Sequence, residues 1–220
     1  WWVVRGRSGG ARRSRVVDLP DAAWSSAWIG VLAALVTVAV VLPVAAASVR
    51  RRGRAITFVG IVVTSGFALP GIVIALACVQ VFVGTPLYQG FGVLVASYVL
   101  HFGGQAFGPS AAAVAAVPGR YDEAARLLGA PRWRRWWRID LRLMTPGLTA
   151  AGGLVLLSVL KELPATLMLR PIGFDTLPTR IAATVDAALL VDAGELSLVL
   201  VALSAVLTWA LVIRRMDHRG

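Results

Sequence analysis

"YDEAARLLGAPRWRRWWRIDLRLMTPG", residues 121–147, is a charged and aromatic island in an otherwise apolar chain. Together with Arg120 it holds seven arginines, and it carries three tryptophans and the acidic pair Asp122–Glu123. Its flanks have the opposite character. Residues 55–119, a run of 65, contain no Asp, Glu, Lys or Arg, and neither do residues 22–49, 143–160 and 196–213. A helix of about 20 apolar residues crosses the roughly 30 Å hydrocarbon layer of a bilayer. The 65-residue run is long enough to cross twice with a turn. The chain therefore reads as all-α, a polytopic membrane helix bundle of about five spans. The short alternating strands of a membrane β-barrel do not appear.

Composition agrees. Of 220 residues 58% are hydrophobic, and the mean hydropathy is +0.76. The net charge of +11 could suggest nucleic acid, but the arginines cluster at the ends of apolar runs, where orientation signals belong. Nucleic acid is thus not an expected partner; the lipid bilayer is. Cys78, the one cysteine, lies in an apolar run and reads as a small buried hydrophobe.

The expected organisation is an extracytoplasmic segment over 1–26 of a truncated chain, a transmembrane domain over 27–215 with a surface loop at 120–142, and a tail at 216–220. Span one is 27–49, kinked at Pro43. The second apolar element, 55–84, is longer than one crossing needs, and "SGFALPG" (65–71) predicts a break at Pro70 and Gly71. Span three is 91–108, followed by a separate small-residue helix at 109–119. Span four is 145–164 and span five 196–213. Between them Ile181, Val185 and Leu189 recur every four residues, as in a helix lying on a surface.

Arginine counts orient the bundle. Residues 50–54 hold four, 120–142 seven and the C-terminal end, 214–220, three, all on one side if there are five spans. The positive-inside rule makes that side cytoplasmic, with the N-terminus outside and the C-terminus inside. The five arginines of residues 1–20 disagree with this placement.

Within the island, "YDEAARLL" reads as a short helix with Asp122 and Glu123 in its first turn, where the helix dipole favours negative charge. Gly129 can end it in the left-handed region, and Pro131 suits the first position of a second short helix. Trp133, Trp136 and Trp137 among arginines suit the membrane–water boundary. Ala124 and Ala125 leave a shallow face beside Glu123 that a partner could approach closely. An ordinary interfacial loop has the same chemistry, so these residues alone leave both readings open.

The stretch "EAARLLGAPRWRRWWRIDL" resembles the EAA loop of ABC importer permeases, the MetI-like inner-membrane components of binding-protein-dependent transport. Glu123, Ala124, Ala125, Gly129, Ile139 and Leu141 match that motif at its spacing; the proline that follows the leucine in the family is Arg142 here. The resemblance implies that this loop is a coupling helix on the cytoplasmic side. It would dock on an ABC ATPase subunit dimer that hydrolyses ATP-Mg, so that the chain itself needs no cofactor and is not an enzyme. It also implies an extracytoplasmic substrate-binding protein, a second permease half or copy, and residence in a bacterial cytoplasmic membrane. "KELPATLMLRPIGFDTLPTR" (161–180), "YVLHFGGQAFG" (98–108) and "ALPGIVIAL" around Pro70 are similar to ferric-iron permeases, most like their C-terminal half. Ferric iron is the implied substrate; thiamine, sulfate, polyamine and phosphonate importers share the architecture.

Four residues are expected on the translocation path: Pro70 and Gly71 at the break, and Lys161 and Glu162 near the end of span four. Against that, Lys161 and Glu162 could equally sit at the outer interface, paired with each other or with Arg170. Asp175 and Arg180 are the charged candidates of a loop facing the binding protein. No residue pattern forms a metal cage. His101, alone within a span, reads as a hydrogen-bonded packing residue. Two other classes compete: an intramembrane hydrolase, for which Ser65, Ser97 and Ser158 are available nucleophiles but no motif ties them to His101, and a non-transporting anchor, which would not need Gly- and Pro-broken spans.

Overall fold

The computed structural model describes residues 19–50, 53–118, 121 and 131–216, and every element among them is helical. In chain order these are α1 (Leu19–Arg50), α2 (Arg54–Ala68), α3 (Gly71–Phe82), α4 (Phe91–Ala115), α5 (Arg132–Arg135), a π-helical segment (Trp136–Asp140), α6 (Leu141–Leu160), α7 (Pro164–Leu169), α8 (Leu177–Asp186) and α9 (Leu190–Met216).

Three long helices, α1, α4 and α6, pack on one another and hold the core, with Ile29, Ala33 and Val41 from α1, Leu94, Tyr98 and Phe102 from α4, and Ala151, Val155 and Val159 from α6. Lipid is as apolar as leucine, so burying apolar area gives little drive for membrane helices to associate. Close backbone contact through small residues supplies it instead. Gly147 of α6 rides on Ala113 and the Pro109 carbonyl of α4, and Gly30 of α1 sits under Leu156. The outward faces stay apolar, as a hydrocarbon environment requires: Leu35, Phe58, Leu100, Val201 and Trp209 are all exposed. Several hydroxyls in the spans donate within their own helices. Thr64 donates to the Gly60 carbonyl at 2.9 Å, Ser197 to Ala193 at 2.7 Å and Thr208 to Ser204 at 2.7 Å.

Among the described residues four helices are long and apolar enough to cross a membrane. A fifth crossing is available from α2 and α3, which meet at Leu69–Pro70 with a bend of 108°. The break falls where Pro70–Gly71 predicts it: Pro70 lacks the N–H that would continue the ladder, and it becomes the N-cap of α3.

Several expectations need correction. α1 begins earlier than expected, at Leu19. The small-residue stretch after residue 108 is no separate helix: α4 continues to Ala115 with Pro109 inside it, where Gly147 of α6 packs closely. The second half of the island is no separate surface helix either. α5, the π segment and α6 follow one another without a break, so the arginine–tryptophan stretch is the end of a span. Arg142, where the motif's proline would fall, is an ordinary helical residue of α6. Span four ends at Leu160, with Lys161 as its C-cap.

The expected surface helix is α8. It stops at Asp186 in a Schellman arrangement, with Leu189 N–H on the Thr184 carbonyl (2.9 Å) and Ala188 N–H on Val185 (2.9 Å). The left-handed position is filled by Ala188 at φ 56°, so no glycine marks the stop in the sequence. The last span consequently begins at Leu190.

Candidate functional site

Two polar places stand out in the bundle. The first lies at the arginine-rich end. Asp140, the last residue of the π segment, is 1% exposed. Arg135 donates to its Oδ2 through both Nη2 (2.9 Å) and Nε (3.2 Å), and Nη2 of Arg50, the last residue of α1, stands 3.6 Å from the same oxygen. Two arginines from different elements thus share one buried carboxylate. A buried carboxylate survives only when charge and hydrogen bonds compensate for lost hydration. On the same segment Trp137 packs edge to face with Trp136 and Trp133, with centroids 5.1 Å and 5.2 Å apart.

Of the motif residues, Glu123, Ala124, Ala125 and Gly129 lie outside the described residues. Ile139 is 36% exposed on the π segment, and Leu141, partly buried, opens α6.

The second place is the break between α2 and α3. Gly71, the first residue of α3, faces Glu162 and His101: a Cβ built on it would meet Glu162 Oε1 at 2.7 Å and His101 Nε2 at 3.3 Å. Glu162 Oε1 accepts the Ala165 N–H at 3.2 Å, which ties it to the start of α7. One turn along α4 from His101, Gln105 Oε1 accepts the Ser158 hydroxyl of α6 at 2.8 Å. His101 and Gln105 are four residues apart on α4 and so share one of its faces, while Ser158 lies in the last turn of α6 and Glu162 two residues beyond its end. The result is a polar seam between α4 and α6 that ends against the broken helix. Thr166, whose hydroxyl donates to the Glu162 carbonyl at 2.8 Å, lies 2.6 Å from the Tyr98 hydroxyl and extends the network sideways.

The four residues expected on the path therefore divide. Gly71 and Glu162 come together. Pro70 forms the break but is exposed. Lys161 is exposed at the end of α6, on the turn that follows it. Glu162 does not pair with Arg170, whose partners are Asp175 and the Phe174 carbonyl (2.8 Å). His101 differs from expectation, since its Nδ1 is buried with no hydrogen-bond partner and its ring rests on Phe102, centroids 4.4 Å apart. The four-residue spacings of this seam were open to view in the sequence, but α4 and α6 are far apart along the chain and nothing there pairs them.

On the remaining loop Asp175 lies between Arg170 and Arg180, the latter at 3.8 Å. Ser26 anchors this loop to α1: its hydroxyl accepts the Leu177 N–H at 2.7 Å and donates to the Ala22 carbonyl at 2.8 Å. The serines of the hydrolase reading are committed elsewhere. Ser65 donates to Ile61, Ser97 to Leu94 and Ser158 to Gln105, so none of them hands its proton to His101.

The model of the family described as "Binding-protein-dependent transport system inner membrane component" matches residues 39–218. The chain belongs to this family. Among curated family relatives, a candidate 2-aminoethylphosphonate transport system permease, PhnV of Salmonella typhimurium, is 31% identical over 143 residues, 64% of this chain and 54% of PhnV. The Fe(3+)-transport system permease protein FbpB 2 of Haemophilus influenzae is 31% identical over 148 residues, 66% of this chain and 29% of that protein. The chain thus spans about half the length of PhnV and under a third of FbpB 2. Its fold matches the MetNI methionine ABC transporter in an inward-facing crystal form, with a TM-score of 0.66 and 17% identity over 89% of this chain and 94% of that one. The all-α, MetI-like permease fold implied by the six motif residues is thereby established.

Proposed function

We propose that the chain is the membrane-spanning permease subunit of an ATP-driven importer that takes substrate from an extracytoplasmic binding protein. The observation that carries this reading is the six-residue motif at its family spacing, whose described end, from residue 132 on, runs without interruption into a span. Glu123, Ala124, Ala125, Gly129, Ile139 and Leu141 form the surface gripped by a separate ATPase pair, which binds ATP-Mg. Nucleotide-driven motion of that surface opens the bundle alternately to its two sides. Gly71 and Glu162 line the path at the break, and Asp175 and Arg180 belong to the loop that meets the binding protein.

Counting α2 and α3 as one crossing gives five, with residues 50–54, 120–142 and the tail on the cytoplasmic side. Arg50 and Arg135 meet at one carboxylate, which supports a shared side for the first two.

Ferric iron is the proposed substrate, supported by the FbpB 2 relative and by the likeness of residues 161–180 and 98–108 to ferric-iron permeases. 2-Aminoethylphosphonate is the second reading, because PhnV aligns over a larger share of its own length. Two experiments test these statements. A cysteine at position 126 should be labelled from the cytoplasmic side only; labelling from outside overturns the orientation and the coupling role. Uptake of labelled ferric iron and of 2-aminoethylphosphonate, by cells with and without the chain, decides the substrate.

A further inference from the structure

Arg135 and Asp140 are five residues apart. In an α-helix each residue advances roughly 100°, so positions i and i+5 lie about 140° apart around the axis and cannot share a partner. A π-helix closes its hydrogen bonds from i to i+5 and stacks those positions. The segment between them, Trp136–Asp140, is π-helical, and the bidentate Arg135–Asp140 contact exists because of it. Arg50 brings the end of α1 to the same carboxylate. Among the described residues the buried Asp140 Oδ1 has no hydrogen-bond partner.

We propose that Asp140 is a positioning residue for energy coupling: with Arg135 and Arg50 it clasps the arginine–tryptophan segment to the end of α1 and holds the π register, so that force on the segment moves α1 and α6 together. Loss of the clasp lets the segment relax to α-helix. That removes one residue from the turn and rotates the arginine–tryptophan segment by roughly 100° relative to α6. It also leaves Arg135, only 10% exposed in its side chain, beside Arg50 without their shared counter-charge. A π insertion inside a helix is costly to hold and frequently marks a functional site. Here the cost is met by an ion triad that draws on two separate elements.

This inference rests on the importer reading, and its test separates the two. The complex of this chain with its ATPase and binding protein is compared with its Asp140→Asn variant in nanodiscs. Hydrolysis is measured with and without ferric-loaded and 2-aminoethylphosphonate-loaded binding protein, and spin labels at positions 49 and 134 report the distance across the clasp. In the unsubstituted complex that distance is single and unchanged by ATP. In Asp140→Asn the ATPase still co-purifies and basal hydrolysis persists, the stimulated rate falls by roughly tenfold, and the distance distribution broadens. Asp140→Glu recovers part of the stimulation. Wild-type stimulation together with a single narrow distance in Asp140→Asn overturns the proposal. If Asp140→Asn does not insert, Arg50→Gln carries the decision on the same readouts, because Arg50 is 45% exposed in its side chain and its loss leaves Asp140 paired with Arg135. A parent chain that brings down no ATPase sinks the importer reading, and the label distances still decide the clasp.

Discussion

Gly104 and Gly108 lie one turn apart on α4, and alanine at the two positions should move stability in opposite directions. A Cβ at Gly104 would stand 2.8 Å from the Thr64 carbonyl oxygen, 2.9 Å from Thr64 Cα and 3.0 Å from Phe67 Cβ. Two of these atoms are backbone and the third is bound directly to it, so no side-chain rotation relieves the contact. α2 and α4 must separate by several tenths of an ångström. Overpacking of this kind costs about 1–3 kcal/mol. A Cβ at Gly108 meets nothing within 4 Å, and there alanine should gain about 0.5–1 kcal/mol from its better helix propensity. The two variants should therefore differ by roughly 1.5–4 kcal/mol. The same crossing is made from the other side by Gly66, whose added Cβ would stand 2.2 Å from the Leu100 carbonyl oxygen; Gly66→Ala should resemble Gly104→Ala. Reversible denaturant unfolding in mixed micelles, with each variant beside the parent, measures the difference. Equal stability of Gly104→Ala and Gly108→Ala would refute the close α2–α4 crossing and with it the position of the broken helix.

Gly147→Ala places a Cβ 2.5 Å from Ala113 Cβ and 3.1 Å from the Pro109 carbonyl, and should cost about 1–3 kcal/mol in the same unfolding assay. Ser26→Ala leaves the buried Leu177 N–H without its acceptor, at about 1–3 kcal/mol; amide exchange should accelerate at the start of α8 and hold steady in α4. Glu162→Gln keeps an acceptor for the Ala165 N–H but removes the charge that faces Gly71 and His101. Uptake should fall by roughly tenfold or more while the melting temperature changes little, and unaltered uptake would take Glu162 off the path. Glu123→Lys should leave insertion intact and abolish ATPase binding in a pull-down; substrate-stimulated hydrolysis at the parent level would remove Glu123 from the coupling surface.

Much of the fold was legible along the chain because the physics that sets it is local. Charge-free runs longer than a bilayer's hydrocarbon thickness can only be spans, and α1, α4, α6 and α9 lie on them. Pro70 cannot donate to a helix ladder, and the chain breaks there. Helix ends were less legible where the signal was missing or misleading. Ala188 occupies a left-handed position usually signalled by glycine, and Pro109 sits inside a helix that its neighbour holds together. The likeness to the EAA motif could be read because its residues lie on one short segment.

The sequence by itself determined the class of molecule and the motif, since membrane solubility and motif spacing depend on residues near one another in the chain. Tertiary structure decided which polar groups meet. Gly71 opens α3, His101 lies within α4 and Glu162 follows the end of α6, dozens of residues apart, and only the packing of α4 and α6 against the broken pair brings them together. Asp140 and Arg135 are close in sequence yet would face apart in a regular α-helix; the π segment, held by Arg50 from the far end of another span, turns them onto one face.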